Sequence, residues 1–227
     1  MLESKNLGRL AGLLWLGSAT TQAFSLAYAR PRLLTAGSIV ANEALFRAAI
    51  AGSLFSYGLL FFFGLVVYRL FKADQAGLAT VLLASIMIAT AIAVVNLLNS
   101  LGALIMLSPA DYLLAFSSDQ RSGLALVFLR VNNYGLGLLE FFWGPYLFAF
   151  GLLVLRSRRM PAILGVLLLI MSVGFPLNTL TKLLAPQFYP ALFTQAAALL
   201  GALATVPTTL WLLIKGAGEP RVRLRAA

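Results

Sequence analysis

Six long apolar runs, each bounded by charged or polar residues, constrain the fold of this chain more than any other feature. A helix that crosses a bilayer needs about 20 mainly apolar residues. Runs of that length lie at residues 10–29, 48–68, 77–107, 134–155, 161–181 and 191–214. Their hydrophobicity is continuous rather than alternating, which argues against the strands of a membrane β-barrel. The sequence therefore predicts an all-α integral membrane bundle of about six transmembrane helices, forming a single domain over residues 1–227.

The composition supports this class and excludes several others. Hydrophobic residues make up 61% of the chain and charged residues 11%, with a mean hydropathy of +0.93. Soluble domains carry about 25% charged residues, so a soluble enzyme is excluded. The chain has no Cys and no His, which removes disulfides, thiol nucleophiles, Ser-His dyads and the usual zinc and haem ligands. We expect no cofactor, no metal site and no catalytic residue.

The distribution of Lys and Arg predicts an orientation. Taken on alternate sides of the six runs, 11 fall on one side and 6 on the other. The positive-inside rule places the richer side, with both termini, in the cytoplasm. The 11 are Lys5, Arg9, Arg69, Lys72, Arg156, Arg158, Arg159, Lys215, Arg221, Arg223 and Arg225, and the 6 are Arg30, Arg32, Arg47, Arg121, Arg130 and Lys182. Because these cations flank apolar runs, the net charge of +10 indicates contact with membrane lipids rather than with nucleic acid.

The first run has a second interpretation. Ala27-Tyr28-Ala29 resembles the A-x-A site at which a signal peptide is cleaved. The run from Leu10 to Ala29 has the length of a full membrane span, which favours a retained helix. Cleavage would leave five spans with the same orientation.

The connectors contain helix-capping patterns. Asn42 is predicted to cap the second helix, with Glu43 paired to Arg47 at i+4. Ser108 followed by Pro109 has the pattern of an N-cap and a first-turn proline.

Ser117 and Gln120 have the spacing of a capping box. A helix running from there to Leu155 would exceed the bilayer thickness. We therefore expect a short interfacial helix before the fourth span, with a change of direction at Gly135 or Gly137.

Amide and carboxylate side chains in these runs share one side of the membrane. Under the predicted topology they all lie in the outer half of the bilayer or at its outer edge. Such groups are costly in hydrocarbon unless they face protein or water, so we expect a polar cavity that opens outward. They are Gln22, Asn96, Asn99, Asn132, Asn133, Glu140, Asn178 and Gln195.

Glu140 is the most informative member of this set, because ionisable groups inside the membrane are costly. Asn133, Gly137, Glu140 and Gly144 follow helical spacing and share one face. The structural alternative is that the amides are wetted helix ends and that Glu140 is a packing acid paired with a nearby cation. The ligand or cavity candidates are Glu140, Asn133, Arg130, Asn96, Asn99, Asn178, Lys182 and Gln22, with Arg130 and Lys182 as counter-charges.

Four short segments together resemble a bacterial membrane family of unknown function, DUF4386. They are Ala41-Asn42-Glu43-Ala44-Leu45-Phe46-Arg47, Asn96-Leu97-Leu98-Asn99, Ala110-Asp111-Tyr112-Leu113 and Asn133-Tyr134-Gly135. The resemblance implies a bacterial cytoplasmic-membrane protein and brings no established activity. A His often precedes the Asn/Asp-Tyr-Gly string in the family, whereas this chain has Asn132 there.

Three classes of function follow from the sequence. The first is a small transport or ligand-binding protein whose outer cavity holds a small polar molecule, an ion or a lipid headgroup. Prolines in the last three runs, at Pro145, Pro176 and Pro207, could act as hinges in such a protein. The second class is a non-catalytic assembly or accessory subunit, as a homo-oligomer or with a partner. An intramembrane enzyme ranks last, because His and Cys are absent.

Overall fold

A computed structural model of the chain describes residues 2–185 and 191–218, and these residues are all-α with no strand among them. A π-helical segment, Phe24–Ala29, and a 3₁₀ turn, Arg30–Arg32, follow the first helix. A second 3₁₀ turn, Asp111–Leu113, precedes the fifth helix. The helices are α1 (Leu2–Ala23), α2 (Ala36–Ala41), α3 (Glu43–Phe71), α4 (Ala76–Met106), α5 (Ser118–Ser157), α6 (Ala162–Leu184) and α7 (Ala191–Lys215).

Four helices in the described part of the chain, α3 to α6, are long and apolar enough to cross a membrane. They correspond to the second to fifth predicted runs. The first predicted run, 10–29, is divided between α1 and the π-helical segment. The sixth run falls in α7, of which the side chains of 191–200 lie outside the description. A count of six spans therefore stays a prediction.

The fifth helix differs from its prediction. The capping box is confirmed: Ser117 Oγ accepts from the backbone N–H of Gln120, and Gln120 accepts from the N–H of Ser117. From there α5 runs for 40 residues without a break at Gly135 or Gly137. The expected short interfacial helix is thus the first part of one long helix, roughly 60 Å in length. The missing side chain of Gly135 makes room for Asn96 of α4, and the helix continues through this position.

Two other capping predictions are wrong, although the neighbouring ion pair is confirmed. Asn42 occupies the position before α3, but its side chain donates to the carbonyl of Ser38 and caps nothing. The side chain of Ser108 likewise donates backward, to the carbonyl of Ile105 at the end of α4. Arg47 and Glu43 form the expected i, i+4 pair, with 2.7 Å between Nε and Oε1.

The long helices pack as a closed ring in the order α1, α3, α4, α5, α6, α7 and back to α1. At one end of this ring the start of α1 and the end of α7 meet two connectors, those between α3 and α4 and between α5 and α6. There Arg9 donates to the carbonyl of Ile214, and Arg159 contacts both Asp74 and the carbonyl of Gly218. We call it the basic end, because Lys5, Arg9, Lys72, Arg156, Arg159 and Lys215 lie on the helix ends and connectors that meet there.

The half of the bundle toward the basic end is filled by aromatic side chains. Phe63, Phe71 and Phe150 are fully buried, and Trp15 and Tyr146 pack against them with ring centroids 4.9 to 6.3 Å apart. Aromatic pairs of this kind pack closely, and the hydroxyl of Tyr146 is buried among them without a hydrogen-bond partner in the described residues. Aromatic rings therefore fill the interior of this half. A second cavity lies at the basic end, where the end of α5, the start of α6 and α7 meet, and Arg159, Met160 and Trp211 are among its lining residues.

Candidate ligand cavity

A cavity of about 380 Å³ lies between α1, the π-helical segment, α3, α4 and α5, at the end of the bundle opposite the basic end. Proteins hold small molecules in cavities of roughly 300–1,000 Å³. Leucines, Phe46 and Ile50 make up much of the wall. The polar lining residues are Gln22, Ser25, Arg30, Ser53, Tyr57, Asn96, Ser100, Arg130, Asn132 and Asn133.

The structure divides the predicted site residues into two neighbouring groups. Gln22, Asn96, Arg130 and Asn133 line the cavity, and Asn99 lies beside it, bonded to Asn96. The second group lies between α5 and α6, outside the cavity wall, and consists of Glu140, Asn178 and Lys182. The side chain of Gln195 lies outside the described residues.

Asparagines join α4 to α5 through reciprocal hydrogen bonds. Asn96 Nδ2 donates to the carbonyl of Asn132 at 2.9 Å, and Asn132 Nδ2 donates to the carbonyl of Asn96 at 3.1 Å. Asn99 Nδ2 donates to Asn96 Oδ1 at 3.0 Å. These amides satisfy one another, as buried polar groups between membrane helices must. Their role is to hold the two helices in register beside the cavity.

Gln22 is less well satisfied. Its Nε2 lies 3.4 Å from the hydroxyl oxygen of Tyr57, and its Oε1 is buried without a partner among the described residues. Tyr57 can pair with either end of the amide, so one polar atom of Gln22 is unpaired among the described residues in both orientations. A buried unpaired polar atom costs about 1–3 kcal/mol, so the inner wall of the cavity has a vacant hydrogen-bonding position.

Asn133 is the meeting point of the cavity with the α5–α6 group. Its Oδ1 accepts from Arg30 Nη2 at 2.9 Å and from Lys182 Nζ at 3.4 Å. Lys182 Nζ also donates to the Asn133 carbonyl at 3.0 Å. Arg130, one turn earlier on α5, lines the same cavity and has no hydrogen-bond or ion-pair partner in the described chain. Two cations, Arg30 and Lys182, thus donate to one neutral amide oxygen.

Glu140 is engaged elsewhere. Asn178, which is 7% exposed, donates to Glu140 Oε2 at 3.1 Å. Next to this contact Thr179 donates to the carbonyl of Gly137 at 2.8 Å. Within the described residues Glu140 has no ion pair within 4.0 Å, so Lys182 is not its direct counter-ion. The carboxylate lies in the seam between α5 and α6 and leaves the cavity without a negative charge.

Arg30 and Tyr57 are the site residues that sequence reasoning missed. Arg30 was counted only as a flanking charge, and Tyr57 lay within an apolar run. Arg30 directly follows the first apolar run, and a long side chain at that position can turn back along the end of the helix. This position is the sequence signal that Arg30 can reach the cavity. No comparable signal marked Tyr57.

The side chains that line the cavity are suited to binding a negative group. Guanidinium groups form charge-assisted, bidentate hydrogen bonds with carboxylates and phosphates. No cluster of three or more metal-ligating side chains occurs in the described residues. The lining contains two arginines and neither Asp nor Glu, so it is electropositive.

Comparison with known proteins gives one match. The model of a family described as a domain of unknown function (DUF4386) matches residues 10–216 of the 227. No curated protein and no solved structure matches the chain.

Proposed function

The chain belongs to the DUF4386 family, and we propose that it is a ligand-binding or transport protein of the cytoplasmic membrane, which holds a small anionic ligand in its outward-facing cavity. The observation that carries this proposal is the charge of the lining: Arg30 and Arg130 with no acidic residue. Two uncompensated cations beside an apolar wall are stabilised when a ligand supplies the negative charge. The amphipathic wall favours an anion that also has an apolar part.

The shape of the bundle supports binding from one side. The aromatic cluster around Phe63 and Phe150 fills the half toward the basic end, so no continuous pore passes through the described residues. A pore would need polar groups along both halves. In the predicted orientation, with the basic end in the cytoplasm, the ligand reaches the cavity from the outer leaflet or from the outside medium.

Octanoate and octanol test this proposal, because they share a chain length and differ in charge. We expect octanoate to raise the thermal unfolding midpoint of the detergent-purified protein and octanol to have a smaller effect. A ligand at 100 times its dissociation constant stabilises by about 2.7 kcal/mol. Arg130→Gln should lose most of this shift, because Arg130 has no other partner in the described chain.

Arg69→Gln is the matched control, since it removes an exposed arginine from the far end of α3. It should keep the full octanoate response. Equal octanoate shifts in the wild type, Arg130→Gln and Arg30→Gln would overturn the proposed anion site.

A further inference from the structure

We propose that the ligand of this cavity is an acidic lipid that enters sideways from the bilayer, and that Asn133 Oδ1 occupies the place of a headgroup oxygen until the lipid arrives. This inference rests on the proposed anion binding. It adds the class of the ligand, an acidic lipid, and the route by which the ligand enters the cavity. It also assigns Asn133 a role as the residue that closes the opening with Arg30.

The opening lies between the π-helical segment and α5. The segment packs on α1 and α3, whereas α5 packs mainly on α4 and α6, so the two do not share an extended seam. Leu26, Leu34 and Leu126 line the cavity and are also 39%, 68% and 44% exposed. Residues that are both lining and exposed mark the rim of an opening. Arg30 and Arg130 line the cavity and are exposed as well, so the rim combines three leucines with two arginines. Such a rim suits an acidic lipid, because the leucines can contact its hydrocarbon chain and the arginines its charged headgroup.

One hydrogen bond between described residues crosses this opening. Arg30, at the start of the 3₁₀ turn, donates from Nη2 to Asn133 Oδ1 on α5 over 2.9 Å. Both side chains line the cavity. A hydrogen bond to a neutral amide is weaker than one to a carboxylate or phosphate, so a charged oxygen that enters the opening replaces Asn133 as the partner of Arg30.

The cationic groups around Asn133 Oδ1 favour a charged oxygen over a neutral one. Arg30 and Lys182 both donate to its Oδ1, although that atom carries no formal charge. Arg130 is near enough to interact electrostatically with Lys182. Among the described residues Glu140 is the carboxylate that interacts electrostatically with Lys182, and it already accepts a hydrogen bond from Asn178. A phosphate in the position of the Asn133 amide would satisfy the cations better than the protein does.

The unpaired atom of Gln22 indicates what else the headgroup carries. It lies in the cavity wall beside Tyr57, four residues before the rim residue Leu26. A hydroxyl group can donate to or accept from an amide, so it would pair with the free atom of Gln22 in either orientation. An acidic lipid with hydroxyls on its headgroup, such as phosphatidylglycerol, meets both requirements.

Native mass spectrometry of the purified protein with equal amounts of dioleoylphosphatidylglycerol and dioleoylphosphatidylcholine tests the inference. The wild type should retain the acidic lipid preferentially. Asn133→Asp places a carboxylate among the cations and should reduce this preference roughly tenfold, the loss expected for charge-assisted hydrogen bonds. Asn133→Ala removes the competing amide and should keep or increase the preference.

The opposite signs expected for Asn133→Asp and Asn133→Ala separate lipid recognition from general damage to the fold. Asn42→Asp makes the same chemical change on an exposed connector and should behave as wild type. Equal retention of the acidic lipid by the wild type and Asn133→Asp would overturn the role of Asn133. Equal retention of both lipids by the wild type would overturn the lipid assignment.

Inorganic phosphate and octanoate separate this inference from the proposed function. If octanoate binds and the acidic lipid is not preferred, lateral lipid access is wrong and anion binding stands. If millimolar phosphate displaces the lipid and stabilises the protein alone, the ligand is a free anion from the medium. If no anion binds, the proposed function itself fails.

Discussion

Asp74 and Arg159 form an ion pair that is almost removed from solvent, with side chains 10% and 6% exposed. Arg159 donates from Nε at 2.6 Å and from Nη2 at 3.1 Å to the two carboxylate oxygens. It also donates to the carbonyl of Gly218, which follows α7. This one guanidinium therefore joins three parts of the basic end.

We predict that Asp74→Asn destabilises the protein strongly. Removing one partner of a buried pair leaves the other charge uncompensated and costs about 3–5 kcal/mol. Glu43→Gln is the control, because Glu43 and Arg47 are 52% and 61% exposed and a surface pair contributes about 0–1 kcal/mol. Thermal unfolding in one detergent should show a large drop for the first variant only. Similar midpoints for both variants would contradict a structural role for Asp74.

Sequence reasoning reached the position of the polar residues but not their partners. The distance of Gln22, Asn96 and Asn133 from the run ends predicts that they share one side of the membrane, and the structure gathers them around one cavity opposite the basic end. That this side is the outer one stays a prediction. Glu140 shares a helix face with Asn133 in the sequence pattern, yet it contacts Asn178 instead of lining that cavity. Helical spacing predicts which face of a helix a residue occupies. The order of the helices in the ring then determines which neighbouring helix that face contacts.

The α5 helix shows how packing overrides a local signal. Two glycines in a helix of this length suggest a bend, because glycine is a poor helix former. In the structure a Cβ at Gly135 would collide with the side chain of Asn96. The glycine is required for close approach of α4, and the helix passes through it unbroken.

A pair of alanine substitutions within α5 tests this explanation. Gly123→Ala meets no atom within 4 Å and should stabilise the protein by about 0.5–1 kcal/mol, since alanine favours the helix. Gly135→Ala should destabilise it, because Asn96 must move and release its hydrogen bond to Asn132. Opposite shifts of the thermal midpoint are expected. Stabilisation by both substitutions would show that the α4–α5 contact is looser than the structure indicates.

The whole molecule has two unlike ends. Toward the basic end the aromatic cluster fills the interior and the Asp74–Arg159 pair joins the connectors, whereas the opposite end contains the cavity lined by Arg30 and Arg130. The sequence already predicted that Lys5, Lys72 and Arg156 share one side, and the packing of the connectors agrees with this grouping. The distribution of Lys and Arg determines which end of the bundle faces the cytoplasm. The packing of the helices by itself favours neither orientation.

Cysteine labelling can determine the orientation, because the chain contains no native cysteine. Lys72→Cys lies in the exposed connector at the basic end, and Tyr112→Cys replaces a side chain that is 69% exposed in the connector at the cavity end. A membrane-impermeant maleimide should label Tyr112→Cys in intact cells and Lys72→Cys only after the membrane is opened. The reverse pattern would turn the cavity toward the cytoplasm, and the proposed ligand would then be drawn from the inner leaflet.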